Sequence, residues 1–507
     1  MSRKKTVNPF SESSRQLAKE FDDANMDSDA EKIEKIIHKA VNMLNKENNA
    51  SKGAIFYSLG TAYGNLQRIK SINDESVIKK QLYYFRKSLQ FIESERLNKP
   101  QYAPYVITQR LTLYTNYANV LDLCGRKIVA ISYLKKALSL YENFGMALGN
   151  LGRIYQSYGF LDFEKNRQKE FHYFACKNLY EACQSTDPDT HANAKTCFKR
   201  SLEVYHDDLI ENVLGNKLVF QKYSYSDPNE LAYRSWCLQN ILFLNPANDL
   251  PVFELAFAGD TIQLPKMIVG VHDKPIFHGM FSQLKQEYIY ARYLYYETLS
   301  PNEKVHYADR ETYILSYTDY TQYCLRVEKL KTSYKILYGL FDKIAFFIEH
   351  YFRMGMKDRD VNFRSIWGKS AGHGKKEYQF KNILDPKSNV ALLALYWISK
   401  DFFEKFEDSP NPEMKRISDI RNALEHRYVK ITASYFHSET EWEDGLALYV
   451  NEKELYGLTL KLLKILREAI ISLAMCVNIE EHPKREWAKD KVILPMSLLE
   501  FNDEWKV

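Results

Sequence analysis

The sequence contains few of the residues that interrupt helices. Among 507 residues there are only 19 Gly and 15 Pro, so tight turns should be few and helices should dominate. The hydrophobic fraction of 45% and the charged fraction of 27% are ordinary for a soluble globular protein. Because a chain of this length exceeds what one hydrophobic core holds, we expect two to four domains.

The cysteines form neither a metal-binding nor a disulfide pattern. Seven are dispersed along the chain without a Cys-x2-Cys pair, which favours a reducing compartment and argues against a structural metal site. The longest apolar runs, near Ala391–Ile398 and Ala469–Val477, are shorter than the roughly 20 residues that a membrane span needs. The first residues lack the apolar segment of a signal peptide. We therefore expect a cytoplasmic protein with no membrane partner.

What the first half does contain is a repeated pattern. Five residues of one segment are followed 34 positions later by an equivalent set: Tyr114, Tyr117, Ala118, Leu121 and Gly125, then Leu148, Leu151, Gly152, Tyr155 and Gly159. An earlier copy reads Phe56-x2-Leu59-Gly60-x2-Tyr63, and a later fragment reads Ala194-x3-Phe198-x2-Ser201-Leu202. In such a pattern the small residue lets two helices approach closely, and the aromatic residue beside it fills the groove between them.

This pattern resembles tetratricopeptide repeats over residues 30–245, with two good copies and at least two degenerate ones. The resemblance implies a helical solenoid whose concave surface binds a protein, a peptide or the neighbouring domain. A generic helical bundle with accidental spacing is the alternative. We expect residues 1–29 to be a flexible N-terminus. Residues 246–281, which contain Pro251, Pro265 and Pro275, are predicted to be a linker at the domain boundary.

Apolar residues at helical spacing continue through residues 282–507. Examples are Leu337, Phe341 and Ile344, and further on Ile417 and Leu424. The spacing predicts at least four long amphipathic helices that form a compact bundle. Helix starts are marked where a capping side chain precedes Pro, at Asp227-Pro228, Ser300-Pro301 and Asn411-Pro412. The predicted fold class is therefore all-α, a helical solenoid followed by a helical bundle.

A long basic insert, residues 353–382, interrupts this bundle. It carries eight Lys or Arg against three acidic residues, a local charge of +5 that equals the net charge of the whole chain. Four aromatic residues lie among these charges: Phe363, Trp367, Tyr378 and Phe380. Basic side chains that contact phosphates beside aromatic faces that stack on bases are typical of single-stranded RNA binding. A solvated loop is the alternative. The predicted RNA-binding residues are Arg353, Lys357, Arg359, Arg364, Trp367, Lys375 and Lys376.

The segment Ile420–Tyr428 contains an Arg-x4-His motif, formed by Arg421 and His426, with Asn422 directly after the arginine. The spacing alone is not specific. Two other pairs in the chain have the same or nearly the same spacing, and we interpret both as solvated helix surface: Arg167 with His172, and Arg200 with His206. The residue types nevertheless suit RNA cleavage without a metal. Histidine titrates near neutrality and can act as base or acid, and arginine offers a charged fork of donors to an anionic phosphate.

The Arg-Asn-x3-His helix and the preceding basic insert together resemble the HEPN superfamily over roughly Phe281–Ile479. The resemblance implies an endoribonuclease that needs no metal or other cofactor, with Arg421, Asn422 and His426 as catalytic residues. It also implies a homodimer that builds its site from two such helices, and a role in anti-phage defence or toxin-like translation arrest that the repeats regulate. The long insert departs from the minimal HEPN bundle. The alternative function is a non-catalytic adaptor that dimerises and binds protein or RNA.

On an ideal helix His426 points away from the core face and shares its side with four residues: Lys415, Asp419, Val429 and Ala433. The mixture of polar and apolar residues predicts a partner surface. Tyr428 matches the extended Arg-x4-His-x-Tyr motif of HEPN toxins that pair with nucleotidyltransferase antitoxins, which makes it a candidate modification site. The same helix geometry places Tyr428 on the core side, which favours a packing role. Lys400 and Asp401, on the preceding helix, are candidate supporting residues of the site.

Overall fold

The computed structural model describes residues 6–71, 74–220, 222–270, 274–300, 305–314, 321–367, 369–370, 376–377, 384, 388–403, 412–433 and 446–488. In this part of the chain the fold is all-α as predicted, with sixteen α-helices and two short pairs of strands. Among the described residues, every helix is too short or too polar to cross a membrane.

Eleven helices precede the predicted boundary. They are α1 (Glu12–Met26), α2 (Ala30–Met43), α3 (Asn49–Ile69), α4 (Glu75–Ile92), α5 (Ala103–Leu123), α6 (Lys127–Leu140), α7 (Gly145–Leu161), α8 (Lys165–Gln184), α9 (Ala192–Leu202), α10 (Asp207–Gly215) and α11 (Pro228–Asn240). The pairs α3–α4, α5–α6 and α7–α8 each pack against one another. The residues that recur after 34 positions lie on α5 and α7, the first helices of consecutive pairs, except for Gly125, which follows the end of α5. We call residues 30–245 the repeat half.

Small residues allow the two helices of a pair to approach closely, as the pattern predicts. A Cβ atom at Gly60 of α3 would lie 2.8 Å from the ring of Phe85 on α4, and one at Gly152 of α7 would lie 2.8 Å from Leu179 on α8. Any larger residue at these two positions would force the helices apart.

The N-terminus differs from the expectation of a flexible segment, because α1 covers residues 12–26. Ser11 caps the helix by accepting a hydrogen bond from the backbone N–H of Ser14 at 3.1 Å. Leu17, Phe21 and Ala24 are buried and pack against α2 and α3. The capping serine and the apolar spacing of four and three residues were signals of a helix in the sequence.

Five helices form the bundle, which we define as residues 276–488. They are α12 (Ile276–Glu297), α13 (Leu325–Phe352), α14 (Val390–Phe403), α15 (Pro412–His426) and α16 (Glu452–Ala488). The strands are β1 (Lys369–Ser370), β2 (Lys376–Glu377), β3 (Val429–Thr432) and β4 (Leu448–Asn451). β1 pairs antiparallel with β2, and β3 pairs parallel with β4. The long α16 packs against α12, α13 and α14, so it forms the centre of the bundle.

Two of the three predicted helix starts, Pro228 and Pro412, lie within the described residues. Asp227 accepts a hydrogen bond from the backbone N–H of Asn229 at 2.9 Å and caps α11, and α15 begins at Pro412. Both helices begin at the predicted Pro, and Asn411, the predicted cap of α15, lies outside the described residues. Pro301 lies outside the described residues.

The segment predicted as a linker is partly buried between the repeat half and the bundle. Ala247, Leu250 and Ile262 are almost completely buried. Arg467 of α16 donates to Asp249 at 2.9 Å and to the carbonyl of Phe243 at 2.6 Å. Loss of one partner from an ion pair buried this deeply would strongly destabilise the fold. The first part of the predicted boundary segment is therefore packed between the repeat half and the bundle.

A second set of charges joins α14 to the repeat half. Asp401 accepts from Arg86 of α4 at 2.8 Å and from Arg126 at 2.7 Å, and Arg126 also pairs with Glu468 at 2.6 Å. Lys400 forms an ion pair with Glu75. Lys400 and Asp401 therefore contact the repeats, and the expectation that they support the Arg-His motif is wrong.

Gly125 contributes to the same contact. It has a φ of +75°, and a Cβ atom there would lie 2.3 Å from the carbonyl oxygen of Val390 at the start of α14. Both the backbone conformation and the close approach require glycine. The repeat half thus contacts directly the helix that precedes α15 in the chain.

Candidate functional site

Helix α15 is fixed in the bundle by its buried face and by polar contacts on its flank. Its buried residues are Met414, Ile417, Ile420 and Ala423. Arg416 pairs with Glu454 at 2.7 Å and donates to the carbonyl of Tyr449 at 3.0 Å. The buried hydroxyl of Tyr334 on α13 donates to the carbonyl of Ile417 at 2.8 Å. These contacts fix the helix one turn before Arg421.

Arg421 is partly buried against α13. Its guanidinium carbon lies 5.2 Å from the centre of the Tyr338 ring, within the distance of a cation–π contact. Its Nη1 donates to the side-chain oxygen of Asn422 at 3.1 Å. One face of the guanidinium is thus held by an aromatic ring, and one donor is used by the neighbouring amide.

An acidic residue lies one helical turn beyond Tyr338. Asp342 accepts a hydrogen bond from the backbone N–H of Phe363 at 2.9 Å. Burial raises the pKa of Asp342, while that N–H and the positive charge of Arg421 lower it in part. The sequence reasoning missed Tyr338 and Asp342, although their spacing of four places them on one face of α13.

His426 lies in the last turn of α15 and is exposed, and Asn422 is exposed one turn before it. The helix spacing predicted that His426 would point away from the core. Among the described residues, no hydrogen bond or ion pair is formed by the side chain of His426. Its imidazole therefore lies open to solvent at the end of the helix.

The prediction that Val429 and Ala433 share the helix face of His426 is wrong. Helix α15 ends at His426, and the chain then enters strand β3. Val429 and Ala433 consequently do not belong to the helix face. Ala433 is buried, and Val429 is paired in register with Leu448 of β4. The run Val-Lys-Ile-Thr has a β-branched residue at three of its four positions, which favours a strand.

Tyr428 is also placed differently from the packing prediction. It is 48% exposed, and the amine of Lys430 lies 5.6 Å from its ring centre. Its carbonyl accepts the backbone N–H of Leu448 at 3.0 Å. Tyr428 lies in the connection between α15 and β3, so the helix geometry that predicted its burial does not apply.

The described aromatic residues of the basic insert are buried. Phe363 packs against Phe341 with ring centres 5.2 Å apart, and Trp367 packs against Tyr396 of α14 at 5.7 Å. Both are fully buried, so the prediction that Trp367 binds RNA is wrong. The apolar spacing of Phe363, Ile366 and Trp367 was the signal that this part of the insert anchors to the bundle.

The basic residues of the same stretch remain exposed: Arg353, Lys357, Arg359 and Arg364. Arg364 follows Phe363, whose backbone N–H binds the Asp342 carboxylate. This connection places Arg364 close to the wall of α13 that also supports Arg421. Lys375 lies outside the described residues, and of Lys376 only the backbone, in β2, is described.

The other Arg-His spacings in the chain have different surroundings. Arg167 is buried and donates twice to Asp162, at 2.8 Å each, and His172 contacts Tyr205. The interpretation of this pair as solvated surface is therefore wrong. Arg200 and His206 are exposed as expected. Among the described residues, no group of three or more His, Cys, Asp or Glu is arranged to hold a metal ion.

Residues 268–480 match the family model described as LA2681-like HEPN. The match agrees closely with the segment predicted from the sequence and supports a HEPN superfamily domain in this part of the chain. It includes α12 to α15, α16 as far as residue 480, and the Arg421–His426 motif, whereas the repeat half lies outside it. No curated protein and no solved structure matches the chain.

Proposed function

We propose that this protein is a metal-independent endoribonuclease of the HEPN type, with Arg421, Asn422 and His426 as its catalytic residues. The observation that carries the proposal is their arrangement on α15. Asn422 and His426 are exposed at the end of a firmly anchored helix, and Arg421 is held against Tyr338 beside them. The helix lies within the segment that matches the HEPN model.

The chemistry follows from what each group can do. His426 accepts the proton of an RNA 2′-OH, and the 2′-oxygen attacks the adjacent phosphorus. Arg421 stabilises the additional negative charge of the crowded phosphate. The bond from phosphorus to the 5′-oxygen then breaks, and that oxygen takes up a proton. The products are a 2′,3′-cyclic phosphate and a 5′-OH, and DNA is resistant because it lacks the attacking hydroxyl.

The proposed enzyme is a homodimer that forms through the Arg421–His426 helix. One imidazole exchanges one proton at a time, whereas the reaction removes a proton from the 2′-OH and supplies one to the 5′-oxygen. Two α15 helices facing each other would provide two histidines and two arginines. Activity per protomer should therefore fall on dilution, in step with dimer dissociation measured by sedimentation. Constant specific activity across a proven monomer–dimer transition would rule out the shared site.

Substrate RNA is proposed to reach α15 along the exposed basic residues of the insert, Arg353, Lys357, Arg359 and Arg364. Tyr428 remains a proposed modification site, since its exposure makes it accessible to a modifying enzyme. The repeat half is proposed to bind a protein or peptide and to control the nuclease in anti-phage defence or toxin-like translation arrest in the cytoplasm. Its support is the direct contact between the repeats and α14.

The deciding experiment measures cleavage of RNA by purified full-length protein in EDTA. Arg421→Ala and His426→Ala should each lower the cleavage rate by about 10²-fold or more. Arg427→Ala, an exposed arginine next to the motif, is the matched control and should stay close to wild type. Equal cleavage by all four proteins would refute the assignment, because a contaminating nuclease would explain it.

The competing function is a non-catalytic adaptor in which the bundle dimerises or binds RNA without cutting it. The observation that favours it is the use of one Arg421 donor by Asn422, which leaves fewer donors for a phosphate. Toxicity on expression that His426→Ala relieves would support the nuclease. RNA binding without cleavage or toxicity would support the adaptor.

A further inference from the structure

A cavity of about 590 Å³ opens among the last helices of the repeat half. This volume lies within the range of roughly 300–1,000 Å³ that is typical of small-molecule sites. Another cavity in the described part of the chain, next to Gly125 and Val390, measures only about 20 Å³. The lining of the larger one comes from α7, α8, the turn before α10, α10 and the segment after it.

Aromatic rings in defined contact form one wall. The rings of Phe160 and His172 meet edge to face at 4.7 Å, and His172 Nδ1 lies 3.0 Å from the hydroxyl of Tyr205. A Cβ atom at Gly159 would lie 2.8 Å from the imidazole of His172, so the ring can occupy this position only because residue 159 is glycine. Burial lowers the pKa of His172, and the uncharged imidazole is a flat surface like the neighbouring rings.

Several apolar side chains at this cavity are open to water. Phe160 is 60% exposed, Val204 57% and Leu209 39%. Clustered exposed apolar side chains that surround a concave space are characteristic of a binding site. A ligand with a flat apolar body would remove these surfaces from water.

Besides His172 and two tyrosines, the polar residues of the lining are two amides and two lysines. Asn216 donates through Nδ2 to Oδ1 of Asn212 at 2.8 Å, which leaves the Nδ2 group of Asn212 as a donor and the side-chain Oδ1 of Asn216 as an acceptor on neighbouring residues of this pair. The backbone carbonyl of Asn216 accepts from the hydroxyl of Tyr173 at 2.9 Å. A neighbouring donor and acceptor match the edge of a nucleobase. Lys169 and Lys217 supply positive charge, and the lining includes no Asp or Glu.

We propose that this cavity binds a nucleotide. The base stacks on the aromatic wall, its edge pairs with the Asn212–Asn216 amides, and Lys169 and Lys217 bind the phosphate. A long-chain acyl anion would also suit the apolar wall and the lysines, but it would cover the two amides without pairing them, which is costly. The site is on the repeat half and does not depend on the proposed nuclease. Its ligand is either a free nucleotide or the terminal nucleotide of an RNA strand.

Calorimetry on the full-length protein tests the proposal. Four probes, AMP, GMP, CMP and UMP, are titrated separately, and at least one should bind with one site per chain. The corresponding nucleoside should bind about tenfold more weakly or worse, because it lacks the phosphate. A 5′-phosphorylated tetranucleotide of the same base distinguishes the sources. Binding at least about tenfold tighter than the mononucleotide identifies an RNA end, and equal or weaker binding identifies a free nucleotide.

Variants place the binding in this cavity. Lys169→Ala combined with Lys217→Ala should weaken nucleotide binding about tenfold or more, and so should Phe160→Ala. All three residues are exposed, so the variants should fold, which circular dichroism verifies. Lys177→Ala is the matched control, because Lys177 lies on α8 with Lys169 but outside the lining. This variant should bind the nucleotide as wild type does.

Three results would overturn the proposal. They are no binding of any mononucleotide up to about 1 mM, binding of decanoate in place of nucleotides, and equal nucleotide binding by the lysine double variant and the Lys177→Ala control.

Discussion

The guanidinium of Arg421 lies over the ring of Tyr338, with 5.2 Å between the guanidinium carbon and the ring centre. The ring restricts the arginine without neutralising it, which suits a group that must stabilise a phosphate. A cation–π contact at a partly buried position contributes roughly 0.5–2 kcal/mol. Tyr338 is therefore a positioning residue in the proposed ribonuclease.

The first prediction separates the ring of Tyr338 from its hydroxyl. Tyr338→Phe keeps the ring and should retain cleavage within a few-fold of wild type. Tyr338→Leu loses the cation–π contact, and the turnover number should fall about tenfold while KM changes little. Steady-state cleavage rates over a range of RNA concentrations provide both values. Equal losses in the two variants would assign the effect to the hydroxyl, which lies 3.5 Å from Ser418 Oγ.

The second prediction concerns two residues of the basic insert that composition alone does not distinguish. Trp367→Ala should lower the free energy of unfolding by about 3–5 kcal/mol, because it empties a fully buried site. Its folded fraction should bind RNA as wild type does. Arg364→Ala should leave stability within about 0.5 kcal/mol and weaken RNA binding. Urea denaturation and filter binding to a non-cleavable RNA measure the two effects. The reverse pattern would restore the stacking role of Trp367.

Local sequence patterns predicted the helices well and their ends less well. Pro412 marked the start of α15, and apolar spacing identified its buried face. The same spacing was extended past His426, where the β-branched residues of β3 pair with β4, a strand that begins at Leu448. Pairing of this kind is decided by a partner distant in the chain. The burial of Tyr428 was therefore predicted wrongly, while the exposure of His426 was predicted correctly.

Contacts between distant segments were beyond the reach of the sequence. Asp401 lies 315 positions from Arg86 and 275 positions from Arg126. No local pattern links the three, and proximity to α15 in the chain suggested the wrong role for Asp401. The insert is a different case, since its charge content indicated the exposed arginines, whereas the anchoring of its aromatic residues was indicated by the apolar spacing of Phe363, Ile366 and Trp367.

The third prediction tests the connection between the repeat half and the bundle. Asp401→Asn removes the charge that Arg86 and Arg126 share in a largely buried position. Breaking a buried ion pair on one side costs about 3–5 kcal/mol, and the free energy of unfolding in urea should fall by an amount of this order. The control is Glu34→Gln, because Glu34 pairs with the exposed Lys70. This substitution should lower the free energy of unfolding by at most about 1 kcal/mol. If the free energy of unfolding falls by the same small amount in both variants, the Asp401 contacts do not hold the two halves together.

The fourth prediction is a pH dependence that arises in α8. Burial, reinforced by the negative charge of Glu164, raises the pKa of Glu170 from 4.5 to about 7. Between these values the folded protein holds a proton that the unfolded chain releases, so stability falls as pH rises from about 4.5 to about 7. Glu170→Gln removes this dependence. The variant should therefore have a melting temperature above that of wild type at pH 8, and the difference should shrink or vanish at pH 5.

The matched control for this effect is Glu203→Gln, which changes an exposed glutamate in the turn after α9. Its melting temperature should follow that of wild type at both pH values. Melting curves of the three proteins at pH 5 and pH 8, at equal ionic strength, complete the test. A stabilisation by Glu170→Gln that is equally large at pH 5 would mean that the glutamine packs better than the neutral acid. The pH dependence of stability would then have to arise from another group.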